Sequence, residues 1–181
     1  MKSLKELLNG IDAEKIYGSL EIQVEKVFFD SRKVGKGDLF VAQRGVHADG
    51  HAFIEKAVSM GASAVVCEEL PGCVDDRTTY IVVADSSFAL GVIASNYYGN
   101  PSRVLKLVGV TGTNGKTTTA TLLYELVRFA GHKAGLLSTV CNYIGDEKIA
   151  ATHTTPDALA IHEYIRRMAD AGCEYCFMEV S

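Results

Sequence analysis

Apolar runs and polar punctuation divide the chain into short strands and helices in regular alternation. Residues 24–29 form a β-branched and aromatic run that stops at Asp30-Ser31-Arg32, where short polar side chains favour a turn. The run reads as a strand entering a loop. Lys36-Gly37-Asp38 makes the next turn, residues 39–42 a short buried strand, and residues 43–50 a loop with two glycines, His47 and Asp49. As a loop it is a candidate binding segment. Helical spacing in Phe53, Ile54, Ala57, Val58 and Met60 ends at Gly61, and strands follow at residues 64–67 and 80–83. Asp85-Ser86 offers an N-cap for a helix through Tyr98, Gly99 stops it, and Asn100-Pro101 breaks the chain. A domain boundary is expected near Ser102, giving domains 1–102 and 103–181.

The second half restarts with a strand at residues 105–110 that runs into Thr111-Gly112-Thr113-Asn114-Gly115-Lys116-Thr117-Thr118. Leu122, Leu123, Leu126, Val127 and Ala130 then recur on one helical face until Gly131. Residues 134–137 are the next strand, and residues 139–151 a hairpin turning at Gly145-Asp146. Thr154-Thr155-Pro156 reads as the cap of a helix with proline at its first position, ended by Gly172 before a last strand at residues 175–180. This order of elements predicts an α/β fold with parallel sheets.

Composition narrows the class. The 181 residues are 48% apolar and 22% charged with three prolines, which suits one large or two small cores of a soluble protein. A net charge of −4, spread along the chain, provides no field for nucleic acid or an anionic membrane, so any anionic ligand needs a local site. Leu7-Leu8 is far short of a signal-peptide core, no run reaches membrane-spanning length, and a cytoplasmic location is expected. Five cysteines without disulfide-like spacing fit a reducing compartment. Cys173-x-x-Cys176 is half a zinc ribbon with no second half, so buried thiols are expected there.

The glycine-rich loop between strand and helix carries the strongest chemistry. Gly112 and Gly115 let backbone N–H groups face inward as an anion nest at a helix N-terminus, and Lys116 adds a cation for the β/γ-phosphates. Gly112, Thr113, Asn114, Gly115, Lys116, Thr117 and Thr118 are therefore assigned to ATP, with Lys116 as the catalytic residue. The pattern departs from G-x-x-x-x-G-K-[ST], since Val110 stands where the first glycine belongs and Gly109 lies one residue earlier. Magnesium needs further oxygen ligands. The hydroxyl of Thr117 and the carboxylate of Glu179 are assigned to it, because Glu179 closes an apolar strand at the edge where ligands bind in parallel sheets.

These segments resemble the muramyl ligase family. The 111–118 loop is similar to its ATP loop, and Met178-Glu179-Val180-Ser181 to the start of its next motif. Asp30-Ser31-Arg32, Gly37-Asp38-Leu39-Phe40-Val41-Ala42, Asp49-Gly50-His51 and Gly61-Ala62 resemble the uridine-nucleotide-binding domain of the branches that add the third residue and the terminal D-alanyl-D-alanine. His153-Thr154-Thr155-Pro156-Asp157 resembles the third-residue branch in particular.

The resemblance implies a small N-terminal uridine-nucleotide-binding α/β domain followed by a truncated P-loop-type parallel-sheet ATP-binding domain. It implies an ATP- and Mg2+-dependent amide ligase acting on UDP-N-acetylmuramoyl-L-alanyl-D-glutamate and a free amino acid through an acyl phosphate, monomeric as the full-length enzyme. By position, Phe29, Ser31, Val46 and His47 would line the UDP end, and Thr154, Thr155 and Ser181 would contact the uridine-diphosphate-muramoyl portion. Thr154 and Thr155 suit an anion at a helix N-terminus, simple capping, or both. The chain stops on a buried strand, so a fragment inactive by itself is expected. The UDP-N-acetylmuramoyl-tripeptide D-alanyl-D-alanine ligases and a non-catalytic nucleotide-binding module are the competing readings.

Overall fold

A computed structural model describes residues 1–45, 48–150 and 156–180. It divides into two compact units, Met1–Tyr97 and Tyr98–Ser181. Among the described residues no helix is long and apolar enough to cross a membrane.

The first unit contains β1 (Lys2–Ser3), α1 (Leu4–Leu7), β2 (Ala13–Tyr17), β3 (Gln23–Val24), β4 (Val27–Phe28), β5 (Leu39–Val41), α2 (Ile54–Ser59), β6 (Ala64–Cys67), β7 (Thr79–Val83) and α3 (Ser86–Tyr97). Its five-stranded sheet has the order β2-β7-β6-β5-β4, with β4 to β7 parallel and β2 antiparallel on β7. Every residue of β5, β6 and β7 is buried, which is why these strands read as unbroken apolar runs rather than alternations. The expected strand over 24–29 is two strands. Between them, Glu25 N–H donates to Gly37 O and Lys26 N–H to the buried Asp38 carboxylate, so the backbone leaves one ladder, with β1, before joining another, with β5. At the start of the chain, Leu4 and Leu7 of α1 are fully buried. At Gly61 the φ is +108°, and a Cβ would lie 2.9 Å from Lys36 Cα, so the end of α2 can approach that turn only as glycine.

The second unit contains β8 (Lys106–Val110), α4 (Lys116–Phe129), β9 (Ala134–Leu137), β10 (Cys141–Ile144), β11 (Glu147–Ala150), α5 (Ala158–Asp170) and β12 (Tyr175–Glu179). Its sheet runs β11-β10-β9-β12-β8. β8, β12 and β9 are parallel, whereas the β10–β11 hairpin adds two antiparallel strands, so the sheet is mixed. Side chains alternate across it. Leu136 and Phe177 join Ala120 and Tyr124 of α4 in one core, and Leu137 and Cys176 join Ile165 and Met168 of α5 in another. A side chain at Gly135 would collide with the Met168 sulfur, which fixes how closely α5 seats.

Two helix expectations are corrected. On α4, Leu122 and Leu126 are 64% and 63% exposed, and Ala130 is exposed as well, while Ala120 and Tyr124 face the sheet with Leu123 and Val127 half-buried. The helix carries two adjacent apolar rows. Small Ala120 permits close approach, and the Tyr124 hydroxyl donates to Gly145 O at 3.0 Å, which selects the other row. On α5 the cap is Asp157, whose carboxylate accepts the Ala160 N–H at 2.9 Å. Pro156 therefore precedes the cap rather than opening the helix. Cys173 and Cys176 are buried, and burial pushes the Cys176 thiol up to about 12.

Candidate functional site

In the second unit, three parallel strands end on one edge of the sheet, and the loops beyond them carry the polar groups. β8 leads into a loop in which Gly112 (φ 145°) and Gly115 (φ 78°) take backbone conformations that L side chains rarely adopt. A Cβ at Gly115 would meet nothing within 4 Å, so this glycine serves backbone conformation and open space rather than packing. Gly115 is also the N-cap of α4, so the free N–H groups and positive dipole end of a helix of 14 residues lie at the loop. The exposed Lys116 ammonium folds back onto Gly112 O at 2.6 Å, closing the loop on itself.

Glu179, the last residue of β12, reaches across to this loop. Thr117 Oγ1 donates to both of its carboxylate oxygens at 3.0 Å, and Thr139, just beyond β9, donates to Oε2 through its N–H and its hydroxyl, each at 3.1 Å. Burial raises the carboxyl's affinity for protons, but the Thr139 N–H, the Thr117 and Thr139 hydroxyls and the nearby Lys116 together outweigh it, leaving Glu179 below its ordinary value. An ionised carboxylate beside a hydroxyl, next to a glycine-rich loop at a helix N-terminus, is a donor set suited to a hard divalent cation. Sequence reasoning placed Thr117 and Glu179 here and missed Thr139; its position after a parallel strand adjacent to β12 is the signal that could have found it.

In the first unit, a cleft of about 600 Å³ is lined by Phe29, Asp30, Ser31, Arg32, Gln43, Gly45, Ala48, Gly50 and Phe53. The two described residues expected at the uridine end, Phe29 and Ser31, lie in this cleft. The Asp30 carboxylate caps the turn Ser31–Lys33 and takes the Arg32 guanidinium through two bonds of 2.9 Å. That guanidinium chiefly holds the Asp30 carboxyl at about 2. Gly50 closes the wall: a Cβ there would lie 2.7 Å from both Gln43 N and Gln43 O. A larger hollow of about 790 Å³ opens elsewhere in this unit among Lys36, Val58, Arg77 and Tyr80. It contains none of the expected residues, and we place the candidate site in the smaller cleft because the Ser31 turn and the glycine-walled 43–50 segment meet there. Gln43, Gly45, Ala48 and Phe53 were not expected; all but Phe53 sit in the loop already marked as a binding segment. Val46, His47, Thr154, Thr155 and Ser181 lie outside the described residues.

Comparison with known proteins gives a consistent answer. Residues 23–98 match the model described as Mur ligase family, catalytic domain, and residues 110–181 the Mur ligase middle domain. Over 178 residues, 98% of this chain, it is 54% identical to the UDP-N-acetylmuramoyl-L-alanyl-D-glutamate–2,6-diaminopimelate ligase of Parabacteroides distasonis and 56% identical to that of Bacteroides fragilis. The chain spans 37% of the length of these relatives. A solved structure of a UDP-N-acetylmuramoyl-L-alanyl-D-glutamate–2,6-diaminopimelate ligase superposes on 99% of this chain and 36% of its own, with a TM-score of 0.76 at 26% identity. With both matched segments in order and the same mixed α/β architecture, the chain belongs to the Mur ligase family.

Proposed function

We propose that this chain provides the nucleotide-substrate and ATP-phosphate sites of an ATP-dependent ligase that joins 2,6-diaminopimelate to UDP-N-acetylmuramoyl-L-alanyl-D-glutamate in peptidoglycan assembly. The observation that carries the reading is the meeting of Thr117 with Glu179 at the mouth of the Gly112–Gly115 loop, since a triphosphate site needs a nest, a cation and a metal-holding oxygen pair in one place. The choice of diaminopimelate rests on the names of the relatives.

ATP would supply the phosphoryl group that turns an unreactive carboxylate into an acyl phosphate open to attack by an amine. The chain's own residues position and neutralise. The loop N–H groups and the α4 dipole would hold phosphate oxygens, Lys116 would supply the cation for the β/γ-phosphates, and Thr117 with Glu179 would hold Mg2+. Thr139 keeps the Glu179 carboxylate aimed at Thr117 and ionised. In the first unit, the Ser31 hydroxyl and the Phe29 ring, both lining the cleft, suit the sugar and base of a uridine nucleotide, the ligand of the cleft in this reading.

Calorimetry of the 181-residue chain tests the assignment. Magnesium-dependent ATP binding is expected, with Lys116→Ala abolishing it and Glu179→Gln removing most of its magnesium dependence. Equal ATP affinity in the wild-type and Lys116→Ala chains would refute the assignment of Lys116.

A further inference from the structure

Gly50 walls the cleft, whereas His51 beside it has no part in the chemistry above, yet it is bonded on both sides of its ring. Asp49 Oδ1 accepts the His51 backbone N–H at 2.9 Å and lies 2.6 Å from His51 Nδ1. On the far side of the ring, Nε2 receives the backbone N–H of Glu68 at 2.8 Å. A ring nitrogen that accepts a hydrogen bond carries no proton, so the imidazole is neutral and its proton is on Nδ1, donated to Asp49. The side chain is only 13% exposed.

The two partners belong to different parts of the unit. Glu68 directly follows β6, the middle strand of the sheet. Asp49 closes the 43–50 segment, four of whose residues, Gln43, Gly45, Ala48 and Gly50, line the cleft. That segment is bonded within itself: Gly50 N–H donates to Gln43 O at 2.7 Å, Gly45 N–H to Ala48 O at 3.0 Å, and Arg44 and Asp49 form a bridge. Tethering Asp49 therefore also tethers Arg44, and through it the described residues bonded around it. The charged groups around the ring are Asp49 from the turn, Arg44 across it, and Glu68 from the end of β6. The Glu68 carboxylate accepts from Ser86 N–H and Oγ at 3.0 and 2.8 Å and lies 3.1 Å from Arg44 Nε; it interacts with His51 through space, while the hydrogen bond to the ring comes from the Glu68 amide. The Asp49 carboxyl is held below its ordinary value, first by the His51 backbone N–H and then by the ring.

We propose that His51 is a positioning residue for the cleft, a clasp that fastens the cleft-lining residues 48–50, and those of 43–45 bonded to them, to the end of β6 through a neutral Nδ1–H imidazole. A second proton on the ring would set Nε2–H against the Glu68 N–H, two donors facing each other, and would open the clasp. The inference rests on the uridine reading only for the ligand part of its test.

Two measurements decide it. In the 181-residue chain, long-range 1H–15N spectra should show His51 Nδ1 protonated and Nε2 unprotonated at about pH 7.5, and the Glu68 amide should be protected from hydrogen exchange. His51→Gln, whose side-chain carbonyl also accepts, should keep that amide protected, and His51→Leu should leave it unprotected. With UDP as the probe at about pH 7.5, His51→Gln should bind within about threefold of wild type and His51→Leu about tenfold more weakly. Protection of the Glu68 amide that is independent of residue 51 overturns the proposal, as does wild-type UDP affinity in His51→Leu. A wild-type chain that binds no UDP counts against the uridine reading, and the exchange data then decide the clasp alone. Should His51→Leu fail to fold, the wild-type ring spectra and the amide protection of His51→Gln still give the answer: a protonated Nε2 in wild type overturns the proposal.

Discussion

At the scale of single residues, short polar side chains fix the geometry of both candidate sites by bonding to nearby backbone. Asp30 is the simplest case, since its carboxyl falls from 3.8 to about 2 chiefly through the Arg32 guanidinium. A depressed carboxyl stabilises the fold above its unfolded value and loses that effect as pH falls through the folded one. The stability difference between wild type and Asp30→Asn should therefore be full above about pH 5 and shrink to little by about pH 2, as read from urea midpoints across that range. A difference that stays constant with pH would mean that the Arg32 bonds contribute nothing. Gly61 supports a second expectation. Its φ of +108° and the 2.9 Å approach to Lys36 Cα leave no room for a methyl group, so Gly61→Ala should cost more than about 1 kcal/mol in denaturant unfolding.

At the scale of elements, the behaviour of α4 is set by which of its two apolar rows meets the sheet. Leu136 on β9 is fully buried in the core that α4 covers, whereas Leu126 on α4 is 63% exposed. Leu136→Ala should therefore cost about 2–5 kcal/mol, and Leu126→Ala should stay within about 0.5 kcal/mol of wild type, with chemical denaturation as the measurement. Comparable costs would place the packing face of α4 where the sequence pattern alone had put it. The helix matters for function because its first turn carries Lys116 and Thr117. Packing through Ala120 and Tyr124 sets its rotation, and that rotation turns the Thr117 hydroxyl toward Glu179.

At the scale of the whole molecule, the chain divides at Tyr97 and Tyr98 into units with separate sheets and separate cores. Such a chain need not unfold in one step. Scanning calorimetry should resolve two transitions, with UDP raising one and MgATP the other, each by about 2.7 kcal/mol of stabilisation when the ligand is at about a hundred times its dissociation constant. A single transition shifted equally by either ligand would show that the units unfold as one.

Much of this arrangement was legible in the sequence, because local rules act over a few residues. The apolar runs of β6, β7, β9 and β12, the Gly145 turn of the β10–β11 hairpin, and the strand, glycine loop and helix ending in Lys116-Thr117 all follow from period, turn chemistry and capping within short windows. Glu179 was also legible, since a carboxylate closing an apolar strand needs a partner. Tertiary structure decided the rest. The break between β3 and β4 depends on Asp38, which no local pattern pairs with Lys26, and the antiparallel β2 finds its place only against β7. The face of α4, the part played by Thr139, and the reach of His51 to Glu68 depend on groups brought together from distant positions. Periodicity states which side chains share a face, but only the packed partner determines which face is buried and which polar groups meet.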